Sequence, residues 1–240
     1  MAGEFVAGGR GVAAGRGWDW IAAGWELFKK QPGMWIALFL ALLVIMVVLG
    51  VIPILGLIVS TVLTPVFGAG IFAAGRAADE GRELEFGHLF AGFRERFTTL
   101  ALVGVIYLGA AIVIALGVGL VTGASIFAMM GGAMPDMAAP AAALAVILAV
   151  LIIFALMLPV MMAIWFAPAL VMFHGKGALD AMQDSFFGCL KNVVPFLVYG
   201  VVMLVLGVIA AIPLGLGWLV LGPVLAASLY TSYKDIYLTA

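Results

Sequence analysis

Apolar residues in this chain come in long unbroken blocks, and the charged residues fall in short clusters between them. The blocks run from about Met34 to Val51, Ile54 to Gly75, Thr99 to Thr122, Pro140 to Phe173, Val194 to Ala211 and Leu214 to Ser232. Several exceed the roughly 18 residues that let a helix cross a ~30 Å hydrocarbon core. No period-2 alternation suggests barrel strands. The block from Pro140 to Phe173 is 34 residues long, ~51 Å as a single helix. Either it tilts, kinks at Pro159 and Pro168 and protrudes, or its first half folds back. The Met-, Gly- and Pro-containing stretch from Gly123 to Ala139 before it reads as a loop.

Ahead of each pair of blocks the pattern turns one-sided. Between Trp18 and Lys30, Ile21, Trp25 and Phe28 recur at i, i+4 and i+7, while Asp19, Glu26 and Lys30 gather elsewhere. Phe86, Phe90, Phe93 and Phe97 make one continuous stripe, with His88 and Glu95 turned away from it. From Gly177 to Lys191 the apolar face is Leu179, Met182, Phe186 and Leu190, and the wet face Asp180, Asp184 and Lys191. Helices of this kind lie in the plane of a membrane interface.

The punctuation recurs as well. Trp25, Lys30, Ile52-Pro53, Pro65 and Arg76 are matched by Phe186, Lys191, Ile212-Pro213, Pro223 and Lys234. The aromatic-to-lysine gap is 5 in both sets, and the gap from second proline to basic residue is 11 in both. Leu158-Pro159 and Pro168 echo the same signals in an enlarged middle copy. The repeats span about 18–76, 86–176 and 177–234 of one membrane domain, 18–240. Residues 1–17, with Gly9-Arg10-Gly11 and Gly15-Arg16-Gly17, read as a flexible basic tail with too little apolar surface to repay ordering. Pro65, Pro168 and Pro223 are candidate hinges, because a proline ring within a helix removes a backbone hydrogen bond.

Composition agrees with the blocks. Of 240 residues, 66% are hydrophobic and 10% charged, at a mean hydropathy of +1.30, whereas a soluble domain is about a quarter charged. The single cysteine, Cys189, excludes an internal disulfide. No apolar signal core precedes Trp18, so the first span would serve as its own insertion signal. The net charge of −1 says less than the placement: with six spans, all eleven lysines and arginines fall on one face. Basic residues near span ends stay cytoplasmic, which places both termini there. The predicted fold is an all-α membrane protein. It has six transmembrane helices in three hairpin repeats, each preceded by a cytoplasmic amphipathic interfacial helix.

Candidate chemistry is sparse. The span cores carry no ionisable residue, although coupled transporters retain such groups despite roughly 2.5–3.5 kcal/mol each. Ser60, Thr61, Thr64, Tyr107, Tyr199 and Ser228 are expected to bond their own or neighbouring helices. Ala69, Ala73 and Ala77, and Gly119 with Gly123, would allow close helix packing. His88, His174 and Cys189 have no metal-site spacing, and Asp180 with Asp184 reads as a solvated edge. No catalytic, cofactor or metal residue is assigned, and no nucleic-acid partner. Arg10, Arg16, Trp18, Trp25, Lys29, Lys30, Arg94, Arg96, Lys191 and Lys234 are candidates for anionic lipid headgroups or a partner, each basic residue contributing about 1 kcal/mol near such a surface.

Arg16-Gly17-Trp18, Gly24-Trp25 through Phe28 and Pro32, Phe166-Ala167-Pro168-Ala169-Leu170, Phe196-Leu197-Val198-Tyr199-Gly200 and Tyr233-Lys234-Asp235-Ile236 carry a resemblance. Over nearly its whole length the chain resembles an uncharacterised family of proteobacterial inner-membrane proteins. More distantly it is similar to the membrane region of some bacterial glycerophosphodiester phosphodiesterases, although it lacks any phosphodiesterase domain. The closer resemblance implies an inner-membrane location and brings no catalytic residue. The expected function is that of a non-enzymatic structural or accessory subunit of a membrane or envelope complex, with a membrane-protein partner or a second copy as its contact. The alternative is a channel, transporter or lipid-translocating protein.

Overall fold

The computed structural model describes residues 3–130 and 135–239. Among them the secondary structure is helical: α1 (Arg16–Lys30), α2 (Pro32–Gly50), α3 (Leu55–Asp79), a 3-10 turn (Phe86–Phe90), α4 (Ala91–Glu95), α5 (Phe97–Met130), α6 (Pro135–Trp165), α7 (Ala167–His174), α8 (Ala178–Leu190), α9 (Val193–Ala211) and α10 (Trp218–Tyr237). Among the described residues, five segments are long and apolar enough to cross a membrane: Pro32–Gly50, Leu55–Asp79, Phe97–Gly123, Leu144–His174 and Val193–Ala211. α10 has 20 residues, but its last two turns carry Thr231, Ser232, Lys234 and Asp235 and dilute its apolar character.

Local signals set the boundaries. Pro32 opens α2, where its missing N–H would in any case lack a partner. Gly175, left-handed at φ 63°, closes α7. Both Ile-Pro turns force a non-glycine residue to positive φ just after the proline, Ile54 at 61° and Leu214 at 55°.

Several expectations change. The stretch 123–139 is not a loop throughout: α5 runs on to Met130 and α6 begins at Pro135, while 131–134 lie outside the described residues. The long block does not fold back. It continues through Pro159 and breaks at Phe166, so Pro168 sits in the first turn of α7. Pro65 and Pro223 lie buried inside unbroken helices. The phenylalanine stripe is split between a 3-10 turn, α4 and the start of α5. Phe90, Phe93 and Phe97 still stack in series and with Phe67, and Phe86 stands outside the row at 50% exposure.

The core lies where α3, α7 and α10 meet, filled by Val66, Phe72, Phe166, Leu170, Tyr233 and Tyr237. α2, α5 and α9 add Trp35, Leu38, Leu100, Val103 and Tyr199 to it, and with α6 they present Val48, Val113, Leu151 and Leu204 outward. The short elements follow a cyclic order. The 3-10 turn and α4 pack on α3, α8 packs on α6 and α7, and α1 packs on α9 and α10. Each later short element therefore sits on the long helix that precedes it in the chain, and the first short helix sits on the last two long ones.

Glycines set these contacts. A Cβ on Gly24 would stand 2.7 Å from the Val224 carbonyl oxygen and 2.8 Å from the Ser228 nitrogen. Cβ atoms on Gly92 and Gly70 would run into the carbonyls of Val66 and Leu89. Gly119 and Gly123, expected as packing residues, face open space. In α8 the side chains turned inward are Ala178, Ala181, Met182, Ser185 and Cys189, whereas Leu179 and Leu190 point out. Ser185 Oγ donates to the Met162 carbonyl at 2.7 Å and accepts from Phe166 N–H at 2.9 Å.

Candidate functional site

Polar side chains gather at one end of the bundle, where both termini meet. Residues 3–15 do not form a free tail. They run antiparallel to the last residues, with Phe5 bridged to Leu238, Val6 N–H donating to the Tyr237 carbonyl at 2.9 Å and Arg10 N–H to that of Ile236 at 2.9 Å. Gly8 and Gly9 adopt φ of 67° and 65°, and Lys191 Nζ caps their carbonyls at 3.0 and 2.8 Å. Asn192 accepts from Val12 N–H and donates to the carbonyls of Arg10 and Gly188, each at 2.8 Å. Composition alone favoured disorder here; backbone hydrogen bonds to the C-terminal residues and the packing of Phe5 and Val12 on the core hold the segment instead.

Asp235 ties this segment to the bundle. Its carboxylate accepts from Arg16 Nε at 2.7 Å, Trp20 Nε1 at 2.8 Å and Arg10 at 3.3 Å, and its backbone carbonyl accepts from Arg10 Nε at 2.8 Å. Burial alone would raise the Asp235 carboxyl; hydrogen bonds from Arg16 and Trp20, with the arginine charges, outweigh it and hold it below its ordinary value. The hydrogen bond to Asp235 in turn raises Arg16.

Two further clusters adjoin. Asp79 accepts from Lys234 Nζ at 2.6 Å and from the Tyr230 hydroxyl at 3.1 Å. Beside it, hydrogen bonds from Arg76 and then Arg82 lower Glu80. On the other flank His174 Nε2 lies 2.5 Å from the Tyr233 hydroxyl, the Phe5 ring stacks on His174 at 3.9 Å, and Lys176 pairs with Asp184.

The candidate contact residues consequently separate. Arg10, Arg16, Lys191 and Lys234 are engaged as above, Lys30 Nζ donates to the Ala78 carbonyl at 3.0 Å, and Lys29 pairs with Glu26 at 2.8 Å. Arg94 and Arg96 are exposed and form no ion pair among the described residues. Trp18 and Trp25 are 54% and 42% exposed. They border an open apolar groove of about 520 Å³ between α1, α9 and α10, lined further by Glu26, Leu206, Ile209 and Val220.

Chemically, this end braces the two termini. Burial pushes the Cys189 thiol up to about 12, far from a reactive thiolate at neutral pH. Among the described residues no three His, Cys, Asp or Glu side chains stand close enough to share a metal ion. Sequence reasoning missed Asp235 and Asn192. The only available signal was an unpaired acid at one terminus and two arginines at the other.

A probable inner membrane protein of Burkholderia thailandensis is 31% identical to the chain over 252 residues, covering 94% of this chain and 91% of that protein. Neither a family model nor a solved structure matches the chain. Identity of that extent, together with five membrane-length helices, places this chain in the same family of multi-pass inner-membrane proteins as the Burkholderia protein.

Proposed function

We propose that the chain is a non-enzymatic structural or accessory subunit of a membrane or envelope complex. In this reading it is built from three hairpin repeats, each led by an amphipathic helix at the cytoplasmic surface. The observation that carries it is where bulk and apolar surface lie. Phe72, Phe166, Leu170, Tyr233 and Tyr237 fill the axis, and the outer faces of α2, α5, α6 and α9 are broadly apolar. A protein so filled inside and so uniform outside offers its surface, more than an interior passage, to partners.

The topology proposed has six spans, with α10 as the sixth and its last turns beyond the hydrocarbon. Hydrogen bonds between Val6 and Tyr237 and between Glu4 and Thr239 support it, because termini that pair must share a face and an even number of crossings is then required. Retention of basic residues makes that face cytoplasmic. A reporter enzyme fused at Asp136 is expected to read as periplasmic; a cytoplasmic reading overturns the topology.

Extraction of the tagged chain from native membranes in mild detergent tests the accessory role. A stoichiometric membrane-protein partner or a homo-oligomer is expected, and a monodisperse single chain without either sinks the proposal. The second reading is a channel, transporter or lipid-translocating protein. The groove beside α1 favours its lipid-handling form, whereas the filled axis disfavours a central pore. Arg94 and Arg96, exposed and without an ion pair among the described residues, are available to meet anionic headgroups.

A further inference from the structure

We propose that the groove beside α1 binds one phospholipid with an ethanolamine-type headgroup. Its acyl chain lies along α9 and α10, and its headgroup sits against Glu26 and Lys29. The lining is apolar through Ile21, Leu206, Ile209 and Val220. Of that lining, Ile209 is 54% and Val220 39% exposed, apolar surface that meets hydrocarbon in a bilayer. Its wall on α1 carries Trp18 and Trp25, residues suited to headgroup level.

The edge supplies the headgroup chemistry. Most other candidate cations are consumed inside the bundle, but Glu26 and Lys29 pair only with each other, with side chains 67% and 48% exposed. An exposed pair like this contributes little by itself, so exchanging it for a ligand costs little. A carboxylate beside an ammonium complements a headgroup that carries an ammonium beside a phosphate: Glu26 accepts from the ligand's N–H donors, and Lys29 donates to its phosphate. A choline headgroup has no N–H to give. A glycerol headgroup leaves Glu26 facing an uncompensated anion.

The inference rests on α1 lying at a bilayer surface and not on the accessory role, so failure to find a protein partner would leave it standing. The test uses the full chain in lipid nanodiscs containing phosphatidylethanolamine, phosphatidylcholine or phosphatidylglycerol with brominated acyl chains, which quench tryptophan emission on contact. The groove signal is the part of the emission lost in a W18F/W25F variant. Half-quenching by the ethanolamine lipid is expected at a mole fraction about threefold lower than for the other two, the scale of one exposed charge pair. Glu26→Gln is expected to abolish that preference without lowering the melting temperature, since its side chain supports no buried group. Equal quenching by all three lipids means ordinary boundary contact and overturns the proposal. So does stronger quenching by phosphatidylglycerol, or an ethanolamine preference that survives Glu26→Gln.

Discussion

Asp235→Ala is expected to loosen both termini at once and to destabilise the chain by about 1–3 kcal/mol, because it strands the buried Trp20 indole N–H and removes the carboxylate that Arg10 and Arg16 share. The Asp235 side chain is 9% exposed and serves Arg10, Arg16 and Trp20 together. Two readouts should move in concert: the melting temperature in mild detergent should fall, and trypsin should cleave after Arg10 and Arg16. Asp235→Asn keeps an acceptor for the indole and should cost less. The carboxyl is held below its ordinary value in the folded chain. Its stabilisation is therefore complete above the unfolded carboxylate range, about 4, and is lost as pH falls through the lowered folded value. Wild type should lose more stability on acidification than Asp235→Asn. Unchanged melting and unchanged cleavage in the alanine variant would show that Asp235 does not hold the termini.

Gly70→Val should be comparably damaging for a steric reason. A side chain at Gly70 meets the backbone carbonyls of Leu89 and His88, and Gly92 faces the Val66 carbonyl across the same contact. Backbone on both sides leaves no flexible group to yield, and overpacking of this kind costs about 1–3 kcal/mol or more. Gly117→Ala on α5 is the control. An added Cβ there meets nothing, and the helix gains roughly 0.5–1 kcal/mol in propensity. Folded yield in membranes and melting in detergent should fall for Gly70→Val and hold or rise for Gly117→Ala. Wild-type melting of Gly70→Val would sink the account of the contact between α3 and the 3-10 turn.

The long helices were legible because a bilayer selects them by length and apolarity alone. Val194 to Ala211 was expected and Val193–Ala211 is found; Met34 to Val51 became Pro32–Gly50. Faces were harder to read. Trp25, placed on the inward side of the first short helix, borders the outer groove, while Trp20, Gly17 and Gly24 make the bundle contact. In α8, Leu179 and Leu190 face out and Ala181 and Ser185 face in. The reason is common to both. Lipid solvates leucine as well as protein does, so size rather than hydrophobicity separates the helix-facing side from the lipid-facing one. The terminal hydrogen bonds were illegible because they join residues more than 200 positions apart, such as Arg16 and Asp235, where no periodicity connects them.

The cyclic order of the short helices bears on how the chain is made. The two later short elements emerge from the ribosome after the helices they will cover, so each can dock as it appears. α1 is finished first, yet its seat on α9 and α10 is completed last. Until α9 is made it must wait at the membrane surface with Trp20 lacking the Phe196 and Tyr199 rings that cover it. Its docking, with residues 3–15 sealed over Asp235, is the closing step of assembly. A chain truncated before α10 would keep that first helix unsatisfied and remain open to proteolysis, so completeness is checked at the N-terminus.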